Sequence, residues 1–543
     1  MLLRNFVDER PIGPAKVGDD FVHDARPFAS VVSMINRTLT APIRNAVIRV
    51  AAITLLLAGA PTSTTAETTM RVAIQTLPAA LGNVHRSTSS SELYTWAAMF
   101  DPLTLVGADG TVQPWLMESW EAINPTTWHF KLRQDVMFHN GEPFNADAVI
   151  NSLTYLTSEA GKREALSRVV NSVSGVRALD PFTLEITTHY PNLMLPAELG
   201  IIRIVAPKYW QEAGAEAFAL NPIGTASYKV ERWGPAKIEL TAFEDGWTKP
   251  GFDRMEIIQL GGSTARTQGI LAGAVDLAFV VGPDDVQTLE SAGHKHHVSR
   301  GVGAMGVAWI QTDTGPIADP RVRRALNYAI NREAYITALL NSGTTAATQA
   351  TPSQAIGWDP DLPGWPYDPE KAKALLTEAG YGDGFDLVIE LAAGGAAADA
   401  AIYQIMGQDL AKIGVGFEVR SMTIPEMITK FNFGGWEGDG FNMDFNVKPS
   451  LDALRPFLSC LTRKLWHCRD SLADKTREAQ ATWDPDKRLS LVRELLKDYH
   501  DDPPMLYMHD TVMFDGVSSR IQGYAPVNLI VNYYDLAPGD AAR

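Results

Sequence analysis

Between Glu118 and Val149 three local signals follow one another in an order that leaves few folds open. From Thr127 to Leu132 the side chains alternate, Trp128, Phe130 and Leu132 against Thr127, His129 and Lys131, which is the period of a strand with one buried face. Asn140-Gly141 then marks a turn, Pro143 stiffens its exit, and Asn145 stands where a side chain caps a helix beginning at Ala146. His139 lies on that turn without a second candidate ligand nearby, so its reading is structural.

Strand-like and helix-like stretches alternate through the rest of the chain, which argues an α/β fold. One helix is predicted from Asp319 as N-cap, with Pro320 in its first turn and Val322, Ala325, Leu326, Ala329 and Ile330 on one face, stopping before Gly343. Another is capped by Asp368, opened by Pro369, faced inward by Ala372, Leu375, Leu376 and Ala379, and ended by Gly380. Neither carries chemistry; both pack.

A chain of 543 residues, 45% apolar, is too long for one ordinary core and implies two or three domains. Residues 1–33 are unlike the rest of the chain and read as an over-extended start; the mass of the exported product would test this. Residues 34–66 read as a cleavable secretory signal: Arg37, Arg44 and Arg49, then the apolar run Val50 to Ala60, then Thr64-Thr65-Ala66. That run is shorter than the roughly 20 residues needed to cross a bilayer. No cysteine near the cleavage point offers a lipid anchor, so a soluble periplasmic protein is expected.

Residues 1–66 hold seven of the 47 basic and five of the 63 acidic residues, leaving 40 against 58 from Glu67 onward. Such a surface repels nucleic acid and anionic lipid. The two cysteines, Cys460 and Cys468, read as a disulfide in an oxidising compartment. The alternative, zinc held with His467, lacks a spaced four-ligand set.

The ESWEA edge, the WHFKLR strand and the FHNGEPF turn resemble, in that order, the signature of the family 5 extracellular solute-binding proteins. DPRVRRALNYAINREA and YDPEKAKALLTEAGY are similar to the same family, as are NPIGTASY, LAGAVDLAF and DPPMLYMHDTVMF. The resemblance implies a two-lobed periplasmic binding protein fold with an additional subdomain in lobe I. Lobe I would span residues 67–310, lobe II 311–506, and 507–543 would return to lobe I. The chain would cross near Trp309 to Thr312 and come back near Pro504 to His509. It further implies a monomeric receptor that captures a small molecule or short peptide between its lobes and delivers it to ABC permease subunits, with no catalysis, cofactor or nucleic-acid partner.

Site residues come from the same resemblance. Peptide-binding members carry a Gly-Trp-x-x-Asp segment whose Asp takes the ligand ammonium, and Gly435-Trp436-Glu437-Gly438-Asp439 is similar to it. Asp439 would then be the cation partner, Trp436 an apolar wall, Gly435 a point of close backbone approach, and Asn442 part of the remodelled continuation. In lobe I, Tyr94 would face the ligand; Trp96 is a second candidate, although its spacing with Leu93, Ala97 and Phe100 is that of a core helix. Leu391 to Ile402 contains no Arg or Lys where dipeptide receptors hold a ligand carboxylate. An amine-bearing conjugate or modified peptide therefore fits as well as a plain dipeptide.

Other motifs point nowhere. His294, His296 and His297 are expected on an exposed turn, without a physiological metal. Gly301-x-Gly303-x-x-Gly306 is followed by a strand at Val307 to Ile310, where a dinucleotide fingerprint needs a helix. A secreted hydrolase or a peptide chaperone on the same scaffold is the rival class, and the chain from Glu67 onward has neither a Gly-x-Ser-x-Gly elbow nor a His-Glu-x-x-His helix.

Overall fold

The computed structural model describes residues 67–539 apart from 87–88, 109, 311–312, 393–398, 424–425, 428, 431–433, 447–451, 462–465 and 529. The extension and the signal segment lie outside the described residues. Residues Glu67–Arg543 form one compact unit.

Lobe I contributes β1 (Thr69–Ile74), β2 (Thr104–Val106) and β3 (Val112–Pro114), then the subdomain strands β4 (Met117–Asn124), β5 (Thr127–Leu132), β6 (Val173–Asp180) and β7 (Thr183–Thr188), then β8 (Tyr228–Trp233), β9 (Lys237–Ala242), β10 (Arg254–Gln259) and β11 (Leu277–Val281). The long β12 (Lys295–Trp309) leads into lobe II, which adds β13 (Phe385–Ala392), β14 (Val415–Met422) and β15 (Gly440–Asn446); β16 (Met505–Val517) returns. One ten-stranded sheet, ordered β14-β13-β15-β12-β16-β11-β1-β10-β9-β8, runs through both lobes, and β4-β5-β7-β6 form the subdomain sheet.

The opening segment folds as its pattern demands. Trp128, Phe130 and Leu132 are buried beneath β5, and the Asn145 side chain accepts the Asp147 N–H at 3.0 Å at the head of α1 (Ala146–Thr157). His139 is enclosed by its own chain: Nε2 lies 2.9 Å from the Ala226 carbonyl, Nδ1 accepts from Gly224 N–H, and burial lowers its pKa to about 4. The helix capped by Asp319 differs from expectation. It ends at Ala329, Ile330 is extended, and a second helix, Arg332–Leu339, starts under the Asn331 cap. The break is held from outside, by Asp409 accepting the Asn331 N–H at 2.9 Å.

Along the β12·β16 pair the strand partners change part-way. Lys295–Arg300 pair with Val517–Val512, inside lobe I. Gly303–Trp309 pair with β15, and the β12·β16 register shifts between Arg300 and Ala304. Packing matches pairing: Val298, Val512 and Phe514 join a lobe I cluster, whereas Val307, Trp309, Leu506 and Met508 join a lobe II cluster. A continuous pair of antiparallel strands with a bulge at the crossing is a place where two lobes can bend without losing the ladder on either side.

Candidate functional site

At the bulge, β15 presents its last residues to the crossing. Its side chains alternate: Phe441 and Phe445 are buried with Ala304, Ala308 and Trp466, and Asn442 and Asp444 take the opposite face, in register with Val307 and Met305. Asp444 stands at the crossing end. Its Oδ1 accepts the Thr511 hydroxyl at 3.0 Å, and a Cβ on Gly303 would run into the same oxygen, so glycine there makes the room. Asp510 lies beside it on β16, 5% exposed, with Oδ2 accepting the Ser353 N–H and hydroxyl at 3.1 and 2.8 Å. Burial, aided by the neighbouring Asp444 charge, pushes Asp510 up to about 6 against those hydrogen bonds. Asn442 Oδ1 is buried with no hydrogen-bond partner among the described residues. Two carboxylates and an open amide acceptor beside a hinge form a site suited to a cationic, hydrogen-bond-donating group.

The structure separates the other candidates from this point. Asp439 precedes β15 at its far end, where the strand pairs with Trp309. Its N–H donates to the Val388 carbonyl at 2.7 Å, its carbonyl accepts from Ile310, and its Oδ2 accepts the Val388 N–H at 2.8 Å. This carboxylate joins β13 to β15. Trp436 is half-buried and stacks on Phe441 at 4.5 Å, and Gly435 is exposed with φ +90°. The loop they share is drawn in by Glu390, whose Oε1 accepts the Glu437 and Gly438 N–H groups while Lys430 holds Oε2 at 2.5 Å.

Tyr94 and Trp96 are both in the lobe I core. Tyr94, 2% exposed, stacks on Phe279 at 3.9 Å, and its hydroxyl meets Met513 sulfur at 3.8 Å. Trp96 is fully buried and donates from Nε1 to the Leu81 carbonyl at 2.9 Å. A seven-residue helix, Ser90–Trp96, turns both rings inward, so the expected ligand-facing position of Tyr94 gives way to packing.

Cys460 and Cys468 form a disulfide with Cα atoms 5.5 Å apart. It secures the stretch in which the His467 N–H donates to the Trp309 carbonyl at 2.9 Å and Asp502 gathers His467, Arg469 and Arg323. The histidines of residues 294–297 fall on β12 and its approach rather than on an exposed turn. His296 pairs with Glu290, His294 accepts the Ser519 N–H, and successive His296 and His297 point to opposite faces. No group of three metal-ligating side chains occurs among the described residues.

Asp444 and Asp510 escape sequence reasoning, although the alternation in Gly440–Asn446 is a strand signal that could have placed Asp444 on a strand facing away from Phe441 and Phe445.

The family model described as "Bacterial extracellular solute-binding proteins, family 5 Middle" matches residues 111–453. Di/tripeptide-binding protein 2 of Pseudomonas aeruginosa (strain UCBPP-PA14) is 26% identical over 470 residues, covering 80% of this chain and 87% of the relative. The nickel-binding periplasmic protein of Escherichia coli (strain K12) is 27% identical over 488 residues, covering 82% and 91%. Among solved structures, NikA from Brucella suis in complex with Fe(III)-EDTA aligns with a TM-score of 0.76 over 87% of this chain and 99% of that one, at 21% identity, a likeness of fold. The homologues are periplasmic binding proteins of ABC importers, and the two lobes and continuous crossing strands are the architecture of solute capture. The chain belongs to the bacterial extracellular solute-binding proteins of family 5.

Proposed function

We propose that this receptor captures a small amine-bearing solute, a short peptide or an amino-acid conjugate, and that Asp444, backed by Asp510, holds the ammonium group. The mature protein begins near Glu67 after signal cleavage, works as a periplasmic monomer and returns its solute chemically unchanged to the permease. The observation that carries the reading is the acidic pair at the bulge of the crossing strands, where burial and the Asp444 charge hold the Asp510 carboxyl above the usual carboxylate range. A cation arriving there relieves the repulsion between the two carboxylates and gains a charge-assisted hydrogen bond. Solutes named for the relatives, di- and tripeptides, fit this chemistry; a bare metal ion does not find a third ligand among the described residues. Native mass spectrometry of freshly purified protein, with titration of the released solute, tests the reading. One-to-one binding of an amine without turnover supports it, and turnover or an amine-free solute sinks it.

A further inference from the structure

Between the lobe II helices Asp470–Ala481 and Pro485–Asp501 the chain turns through Thr482, Trp483 and Asp484. Asp484 caps the second helix by accepting the Lys487 N–H at 2.7 Å, and Ala479, behind the turn, is buried in the lobe II cluster. Trp483 belongs elsewhere. Its ring packs against the apolar cluster of the lobe I subdomain, with its centroid 5.5 Å from that of Trp128 on β5. Gln480, three residues earlier, donates from Nε2 to the Tyr190 hydroxyl at 2.9 Å, and that hydroxyl donates onward to Asn171 Oδ1 at 3.4 Å. The Asp484 cap makes the turn between the helices without any help from an indole, so the tryptophan there serves the opposite lobe.

The lobes touch at other points as well. Val106 and Ala197 of lobe I are buried in the lobe II cluster, and Gly110 approaches Ile356 so closely that a Cβ on it would lie 2.7 Å from Ile356 Cγ1. The tryptophan contact also carries a cost. Trp128 is 6% exposed, and its Nε1 is buried with no hydrogen-bond partner among the described residues. An indole N–H kept from water without an acceptor opposes burial, and parting the two rings returns it to water. Apolar packing and one hydrogen bond favour the contact, and the stranded N–H works against it. The result is a junction that holds and can still open, as a receptor with two arrangements of its lobes requires.

We propose that Trp483 and Gln480 form a latch: docked on the lobe I subdomain, they stabilise the closed arrangement of the lobes with or without a solute between them. They are positioning residues and act without touching the solute. The strength of the latch sets the fraction of solute-free protein that is already closed, and apparent affinity scales with that fraction. Every solute is affected by the same factor, so the latch tunes capture and release without altering choice. It does not depend on the amine reading above.

Single-molecule energy transfer tests this on solute-free mature protein. The dyes are placed on Glu159→Cys in the lobe I subdomain and Glu370→Cys in lobe II, both at exposed side chains, and the native cysteines are already paired with each other. Wild type should show a closed population beside an open one. Trp483→Ala should move the open-to-closed ratio about tenfold or more toward open, Trp483→Phe less, and Gln480→Ala about fivefold. Asp474→Ala, at an exposed side chain of the same helix as Gln480, should leave the ratio unchanged. Circular dichroism checks that each variant is folded, and Trp483→Phe with Gln480→Ala decide the matter if Trp483→Ala is not. A tryptophan that only supports the fold would lower the melting temperature without moving the ratio, and that result overturns the inference. So does a wild type with no closed population. Neither result touches solute capture, which fails separately if native mass spectrometry finds no retained solute and no amine binds.

Discussion

The Asp444 carboxylate accepts a hydrogen bond from the Thr511 hydroxyl at 3.0 Å, tying the end of β15 to β16 beside the register shift where the lobes part. This contact joins the two crossing strands, whereas the Asp439 carboxylate bonds the Val388 N–H at the other end of β15. The two acids therefore separate in their effects. Asp444→Asn should weaken an amine-bearing solute by about tenfold or more while changing the melting temperature little. Asp439→Asn should leave affinity within about a factor of two and cost about 1 kcal/mol of stability through the lost Val388 contact. Calorimetric titration and thermal unfolding of both variants check this, and the opposite pattern would return the ligand role to Asp439.

His85 is fully buried between Tyr155 and Trp210, with neither ring nitrogen hydrogen-bonded among the described residues, and burial lowers its pKa to about 3. The folded protein therefore refuses a proton that the unfolded chain accepts below its ordinary value of 6.5. Stability associated with this residue is intact above 6.5 and declines as pH falls toward 3. His85→Phe should stabilise the protein by about 1–3 kcal/mol at pH 7, by removing two unpaired polar atoms, and by more at pH 5. Urea midpoints at the two pH values check it; a gain that does not grow on acidification contradicts the account.

Asp515 makes the reverse case. It is 1% exposed, accepts from Val280 N–H at 3.0 Å and from the Tyr524 hydroxyl at 2.8 Å, and is pushed by burial up to about 6. A raised acid holds its proton in the folded state between 3.8 and 6, so its ionisation burdens the fold above 6 and not below about 4. Relative to wild type, Asp515→Asn should gain on the order of 3 kcal/mol between pH 4 and pH 8. Unfolding curves across that range should show the two proteins converging or crossing; parallel curves would mean that the carboxylate titrates normally.

Features that depend on neighbours in the chain are legible in the sequence. The Thr127–Leu132 alternation, the Asn145 cap and the Asp368 cap, which accepts the Lys371 N–H, are all settled within a few residues. The break at Ile330 is not, because it depends on Asp409 reaching Asn331 from a distant helix. The Gly435–Asp439 stretch has a local pattern of Gly, Trp and Asp that reads as a ligand loop, and where it lies follows from its order before β15. That order emerges only when β15 pairs with β12 and the Asn446 end meets the crossing.

The disulfide closes a short loop whose far side carries His467, Trp466 and the Asp502 cluster against the end of β12. Cross-linking so few residues removes limited freedom from the unfolded chain, about 2.5 kcal/mol on chain-entropy grounds. The native contacts it organises are less limited. Asp502 is 6% exposed and counters Arg323, 1% exposed, so a shift of this stretch would leave a buried guanidinium short of charge. Cys460→Ser with Cys468→Ser should therefore lower stability by at least about 2.5 kcal/mol. Arg323→Met, which removes the buried cation, should be less damaging in the Ser–Ser background than in wild type. A double-mutant cycle on thermal unfolding measures this, and strict additivity would show that the disulfide acts only through the unfolded chain.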